Sequence, residues 1–282
     1  MTKLSDSKLN QLLSELPEGL LVDAPWLREH GYSTALRSHY VSAGWLEQPA
    51  PRVYRRPRGT LRWEQVVISL QTLLKQPYLV GGRTSLELQG FSHYLASEVR
   101  EVHLYGPRPL PRWVNALPLQ VRFRQHNSQS LFRNDPITFG LTSLAWDVKT
   151  NAGASNDPIH ASAKPLPWGH FGWPLTVSTP ERAILEMIDE LPKHESFHQV
   201  DKFMESLSTL SPRRLAKLLR DCRSVKVKRL FFFFAFRHDH RWRLQLDPKD
   251  FDLGTGKRML VAGGKLDPRF EITVPEDLDG QP

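Results

Sequence analysis

The stretch "STALRSHYVSAGWLEQPAPRVYRRPRG", residues 33–59, decides how the first part of the chain folds. Ser33 is a helix-capping residue and Gly44 a helix stop. Between them, helical spacing places Leu36, Tyr40 and Val41 on one face, towards a core. Thr34, Arg37, Ser38 and Ser42 fall on the other face, and His39 sits at the boundary. "WLEQ" and "RVYRR" then read as two short strands around a Pro-Ala-Pro turn. Upstream, "DSKLNQLLSELP" carries Leu9, Leu12, Leu13 and Leu16 at helical spacing and stops at Pro17, Glu18 and Gly19. "DAPWLREHG" reads as a second helix, capped by Asp23, burying Trp26 and Leu27 and ending at Gly31. Three short helices closed by a hairpin outline a winged helix-turn-helix. In that motif the last helix enters the major groove and the hairpin lies along the backbone.

The hairpin is basic. Arg52, Arg55, Arg56, Arg58 and Arg62 follow one another with no Asp or Glu between them. Guanidinium forks match phosphate oxygens. The whole chain carries a formal net charge of +8 and a pI near 9.7, which favours a polyanionic partner, nucleic acid before membrane. A plain solvated surface is the competing reading. A second basic stretch spans residues 212–229, where Arg213, Arg214, Lys217, Arg220, Arg223, Lys226, Lys228 and Arg229 face one acid, Asp221. On a helix, Arg213, Lys217 and Arg220 share one face and Leu215, Leu218 and Leu219 the other. This stretch reads either as a second anion-binding surface or as solvated charge beside an aggregation-prone apolar run.

The fold class expected is α+β: a winged helix-turn-helix over residues 1–59, then a larger mixed α/β domain over 60–282. "TLRWEQVVISLQTLLKQP" is an amphipathic helix that opens the second domain. "YLVGGRTSLELQG" reads as strand, turn and helix; "EVREVHLYG" and "LPLQVRFRQHN" alternate as strands. "ITFGLTSLAWDVKT" reads as strand, and residues 151–174 as a loop rich in turn residues. "TPERAILEMIDELP" is a helix with Thr179 as cap and Pro180 in its first turn, its acids Glu181 and Glu186 biased towards its start. "SFHQVDKFMESLSTL" and "SPRRLAKLLRDC" form a helical pair, the second capped by Ser211. "KRLFFFFAFR", "RWRLQL" and "FEITV" read as late strands. The four phenylalanines, Phe231 to Phe234, mark a strand buried on both faces.

Candidate chemistry is sparse. One cysteine, Cys222, excludes a disulfide framework and a four-cysteine zinc site and fits a reducing cytosol. Its arginine neighbours would lower its pKa, but no base partner is identifiable and a structural role is expected. His238 and His240 alternate as on one strand face, without a third metal ligand. "WDVK", with Asp147, Lys149 and upstream Asp135, is a fragment of a metal-dependent nuclease site and the basis of an enzymatic alternative. Gly81 and Gly82 before a helix read as a tight turn rather than a phosphate cradle, since no P-loop lysine follows. No catalytic residue, metal or cofactor is expected. The N-terminus lacks a signal-peptide core, and the longest apolar run, residues 230–236, is too short to span a bilayer. A cytoplasmic protein is expected.

The N-terminal helices, the "SAGWLEQPAPRVYRRP" wing, "WEQVVISLQTLLKQPYLVGGRTSLELQG" and the later "VSTPERAILEMIDELP" together resemble the AbiEi-family antitoxins of type IV toxin–antitoxin systems, over about residues 5–274. The resemblance implies an N-terminal domain that binds inverted repeats in double-stranded DNA and represses its own operon. It implies a C-terminal domain that counteracts a nucleotidyltransferase-like toxin without a stable complex being required. DNA contact carries over onto Thr34, Arg37, Ser38 and His39, and onto Arg52, Arg55, Arg56 and Arg58 of the wing. Arg213, Arg214, Lys217 and Arg220 are candidates for the second basic surface. The alternatives are a winged-helix nuclease and a stand-alone regulator whose larger domain binds a small molecule.

Overall fold

A computed structural model describes residues 2–57, 59–91, 99–134 and 162–279. The chain opens with α1 (Thr2–Glu15), β1 (Leu21–Asp23), α2 (Ala24–Glu29), α3 (Thr34–Ser42), β2 (Glu47–Ala50) and β3 (Val53–Arg55). The caps expected from sequence are present. The Asp23 carboxylate accepts the Trp26 N–H at 3.0 Å, and Ser33 Oγ accepts the Leu36 N–H at 3.2 Å. Gly44, at φ 76°, follows α3 in the left-handed conformation that favours glycine. β1 is an addition to the expectation: its three residues are too few to show alternation. It completes an antiparallel sheet of order β1-β3-β2, giving the helix and strand order of a winged helix-turn-helix.

The remainder is built on a five-stranded mixed sheet of order β6-β5-β4-β8-β7. Its strands are β4 (Leu79–Val80), β5 (Glu101–Gly106), β6 (Arg122–Asn127), β7 (Ala163–Trp168) and β8 (Trp173–Ser178). The helices of this part are α4 (Trp63–Thr72), α5 (Gly82–Leu88), the one-turn α6 (Ser128–Leu131), α7 (Pro180–Asp189), α8 (Phe197–Ser206), α9 (Pro212–Asp221) and α10 (Val225–His238). A small hairpin of β9 (Lys265–Asp267) and β10 (Ile272–Val274) follows. Among the described residues no helix is long and apolar enough to cross a membrane.

Strand alternation sorts the sheet's two faces. Val102 and Leu104 of β5 enter a core shared with Leu12, Leu16, Trp26, Tyr40 and Leu46 of the winged part and Trp63 and Val67 of α4. His103 and Tyr105 turn to the opposite face; the Tyr105 hydroxyl approaches Gly82 at the start of α5. The division expected at Gly59 therefore separates residues that share one apolar core. Polar groups stitch it further. The Leu21 N–H donates to Ser69 Oγ of α4 at 2.8 Å. The buried Gln71 amide donates to Tyr78 O and Thr176 O, both at 2.9 Å, and accepts from the Thr176 N–H at 3.0 Å. Orphan backbone groups between β4 and β8 are thereby satisfied from the helix above.

Three sequence readings are corrected here. Residues 228–237, expected as a strand, lie within α10; Ser224 caps it by accepting the Val227 N–H, and Asp239 ends it at φ 50°. A continuous apolar run looks alike in a buried strand and a buried helix, and here α7, α8 and the C-terminal segment surround it. "RWRLQL" is a 3-10 turn, Arg241–Gln245. Residues 163–174 of the segment expected as loop belong to the β7–β8 hairpin, which runs on to Ser178. Pro165 and Pro167 disguised β7, but β7 is an edge strand, where proline is tolerated. "ITFGLTSLAWDVKT" lies outside the described residues.

Candidate nucleic-acid interface

Tyr40 of α3 is buried, and Leu36 and Val41 are half-buried against the same core, as the helical spacing implied. Thr34, Ser38, His39 and Ser42 are exposed. Arg37 is not; it is 8% exposed, and its outward placement is corrected. Its guanidinium donates to Ser33 O and Ala24 O, both at 3.3 Å, and to Thr34 Oγ1 at 2.8 Å. A long side chain at the first turn of α3 can fold back on the carbonyl that starts α2, and that bond joins the two helices.

The wing is also rearranged relative to the expectation. Arg55 is 6% exposed, donates to Glu47 at 2.6 Å and to Gly59 O at 2.7 Å. Arg56 donates to Leu13 O at 2.8 Å and Leu16 O at 3.1 Å and pairs with Glu18 at 3.2 Å. It thus satisfies carbonyls at the C-terminal end of α1 that lack helical donors. Arg62 pairs with Glu64 at 2.8 Å. The arginine run is uncompensated along the chain but compensated in space: Glu47 lies opposite Arg55 across the hairpin, and the turn after α1 brings Glu18 to Arg56. Arg58 lies outside the described residues. Arg52, at the hairpin turn, is exposed and has φ 64°.

One arrangement unites the exposed remainder. Arg52 O accepts the Ala24 N–H at 2.8 Å, while Ala24 O accepts from Arg37. The start of α2 therefore bridges the hairpin turn to the first turn of α3. Thr34, Ser38 and His39 carry hydroxyls and an imidazole on the exposed side of α3, and Arg52 carries a cation on the exposed hairpin turn.

The second basic stretch divides in the same manner. Arg213, Lys217 and Arg220 are exposed along α9, while Leu215, Leu218 and Leu219 are buried. Arg214 turns inward to Glu181 at 3.0 Å. Lys226 donates to Asp189 O and Leu191 O, and Arg229, 2% exposed, donates to Leu253 O and Gly256 O, both at 2.6 Å. Cys222 is buried, and burial pushes its thiol up to about 11, reversing the direction its arginine neighbours implied.

On the other face of the sheet lies a polar seam that the sequence did not reveal. Glu190 stands 3.1 Å from His126 Nδ1, and His126 Nε2 stands 3.1 Å from His103 Nδ1. With both rings neutral, the carboxylate fixes the tautomer of the first imidazole and the first fixes the second. His103 Nε2 is then left as an acceptor, 3.8 Å from Glu195 Oε1 and 3.7 Å from Glu101. Burial, with His126 and Arg83 nearby, lowers His103 to about 4. Burial raises Glu195 to about 7, against the pull of Arg83. The members come from β5, β6 and the segment after α7, so only the sheet pairing brings them together.

Other candidates resolve structurally. The Gly82 N–H donates to Glu186 at 2.9 Å, so a carboxylate of the chain itself occupies that helix start. A Cβ on Gly81 would lie 2.3 Å from the same carboxylate, which explains the glycine. Glu186 also accepts from Ser178 Oγ at 2.8 Å and Arg182 at 2.6 Å. His238 pairs with Asp201 at 2.7 Å and His240 bonds Met204 O at 2.8 Å. Among the described residues no group of three potential ligands could hold a metal ion. Asp135, Asp147 and Lys149 lie outside the described residues.

Residues 99–275 match a family model described as "Transcriptional regulator, AbiEi antitoxin, Type IV TA system". Residues 5–97 match "Transcriptional regulator, AbiEi antitoxin N-terminal domain". The structure is similar to the crystal structure of the RV2827C protein from Mycobacterium tuberculosis, with TM-score 0.53 over 96% of this chain and 91% of that chain. At 12% identity the likeness is one of fold. No curated protein matches the chain.

Proposed function

We propose, on the premise that the chain belongs to the AbiEi antitoxin family of type IV toxin–antitoxin transcriptional regulators, that it represses its own operon through α3 and the hairpin turn. The observation that supports this reading is the pair of hydrogen bonds at Ala24, which ties the hairpin turn and α3 to the start of α2 while Arg52, Thr34, Ser38 and His39 stay exposed. In this reading Thr34, Ser38 and His39 meet base edges of an inverted repeat, and Arg52 holds a phosphate. Arg37, Arg55 and Arg56 act indirectly, by fixing α3 and the wing on α1 and α2. The larger part of the chain counteracts a nucleotidyltransferase-like toxin. Arg213, Lys217 and Arg220 offer a separate anion-binding surface on α9.

The test uses the full chain and the DNA upstream of its reading frame. Thr34→Ala combined with Ser38→Ala should reduce the preference for that DNA over random duplex by at least about tenfold, since two base contacts are lost. Equal binding to both duplexes by the unmodified chain would reject the repressor assignment. Co-expression with the neighbouring reading frame's product tests the antitoxin role separately: the chain should restore growth that the toxin arrests.

A further inference from the structure

Two of the phenylalanines on α10 do something other than fill the core. Phe231, Phe232 and Phe234 are fully buried, but Phe233 and Phe236 are only half-buried and border a cleft. The cleft lies between α10 and the β9–β10 hairpin and has a volume of about 380 Å³. Phe233, Phe236, Leu266, Phe270 and Val274 form its apolar wall. That size falls within the range of small-molecule sites, and so does the chemistry: mostly apolar, with a few polar groups converging.

The charged groups of the lining are three basic residues and one acid. The Arg269 guanidinium stacks 3.5 Å from the centre of the Phe236 ring and 5.6 Å from that of Phe270. It is exposed and makes no ion pair with another described residue. Lys265 and Arg237 line the same cleft, the Arg237 guanidinium pairing with Asp201 at 3.0 Å and donating to Leu278 O at 2.6 Å, which leaves Arg269 as the cation the site turns on. The one acid in the lining, Asp267, accepts the Phe270 N–H at 2.7 Å, which holds that carboxylate to the hairpin turn. Stacking on an aromatic face pins the guanidinium plane, and its N–H edges remain to meet an anion. Leu266, 37% exposed, extends the apolar surface to the rim.

We propose that this cleft is a binding site for an amphipathic organic anion: a small molecule with an apolar or aromatic body seated against Phe233, Phe236 and Phe270, and one carboxylate or sulfonate held by Arg269. The inference is independent of the DNA-binding reading, since it uses no residue of the winged part.

The probe is 8-anilinonaphthalene-1-sulfonate, added to the folded full chain and followed by fluorescence. One saturable site is expected. Dodecanoate should displace the probe, and dodecyltrimethylammonium, of equal length and opposite charge, should not. Arg269→Glu and Leu266→Asp should each weaken binding at least tenfold, while Arg269→Lys stays within threefold of the unmodified chain. Leu244→Asp, at an exposed residue outside the cleft lining, should change nothing. Circular dichroism melts of every variant confirm that each is folded when compared. Displacement by the cation, non-saturating binding, or equal affinity in Arg269→Glu would overturn the proposal and leave an unspecific apolar surface. Displacement only by an acidic peptide, and not by dodecanoate, would overturn it in favour of a protein partner.

Discussion

The arginines of the wing and those of α9 begin as the same kind of signal, a basic run along the chain, and end in opposite places. In the wing, Arg55 and Arg56 face inward and are held by Glu47, Glu18 and backbone carbonyls. On α9, Arg213, Lys217 and Arg220 stay outside while one neighbour, Arg214, turns in to Glu181. The difference comes from what lies behind each side chain. The hairpin lies against the end of α1, where carbonyls lack donors, and a guanidinium there satisfies several at once. On α9 the leucines take the buried positions and the outer basic residues keep the exposed ones. Charge density along a sequence therefore says how much cation there is, and packing says how much of it remains for a partner.

Mutations test that contrast. The most internal guanidinium is Arg182, whose side chain and that of its partner Glu186 are both fully buried. Arg182→Met strands a buried carboxylate and should cost about 3–5 kcal/mol in urea unfolding. Arg55→Ala removes a charged hydrogen bond to a half-exposed partner and should cost about 1–2 kcal/mol. If Arg55→Ala proved neutral to stability, the wing's inward arginines would rank with surface charges and the contrast would fail.

The polar seam gives a pH signature. The folded chain holds the Glu195 proton more tightly than the unfolded chain does. Its contribution to stability is complete below the ordinary carboxylate range and is lost as pH rises through about 7. His103 acts with the opposite sign, since its folded value falls to about 4: its contribution is complete above 6.5 and is lost as pH falls through 4. Glu195→Gln removes the first effect alone. Relative to the unmodified chain, this variant should gain stability between pH 5 and pH 8, measured by denaturant midpoints. A pH-independent difference would contradict the placement of Glu195. The smallest stability effect belongs to α9. Arg213→Ala and Arg220→Ala should each stay within about 0.5 kcal/mol, as exposed substitutions do.

Much of the fold was legible in the sequence where local chemistry decides it. Asp23, Ser33 and Ser211 cap helices as their spacing implied, and the glycines after α2 and α3 end them. Legibility failed where tertiary context decides. The phenylalanine run has no period to distinguish helix from strand, although Ser224 before it was an available cap signal. The prolines of β7 read as loop because edge position is invisible along the chain. For the candidate interface, the exposed face of α3 was readable from its spacing, apart from Arg37. The partners of Arg56 were not, because Glu18 and the carbonyls of α1 lie about forty positions away and only the fold brings them near; Glu47 meets Arg55 through the pairing of the hairpin strands.

On the proposed reading, Arg52 at the hairpin turn holds a DNA phosphate while the inward arginines serve the fold. The salt dependence of binding to the upstream DNA tests it most directly, with Arg52→Ala and Arg56→Ala compared against the unmodified chain. Arg52→Ala should flatten the slope of log affinity against log salt by about one unit, and Arg56→Ala, studied where it is folded, should leave the slope intact. An unchanged slope for Arg52→Ala, or a full unit lost in Arg56→Ala, would contradict it.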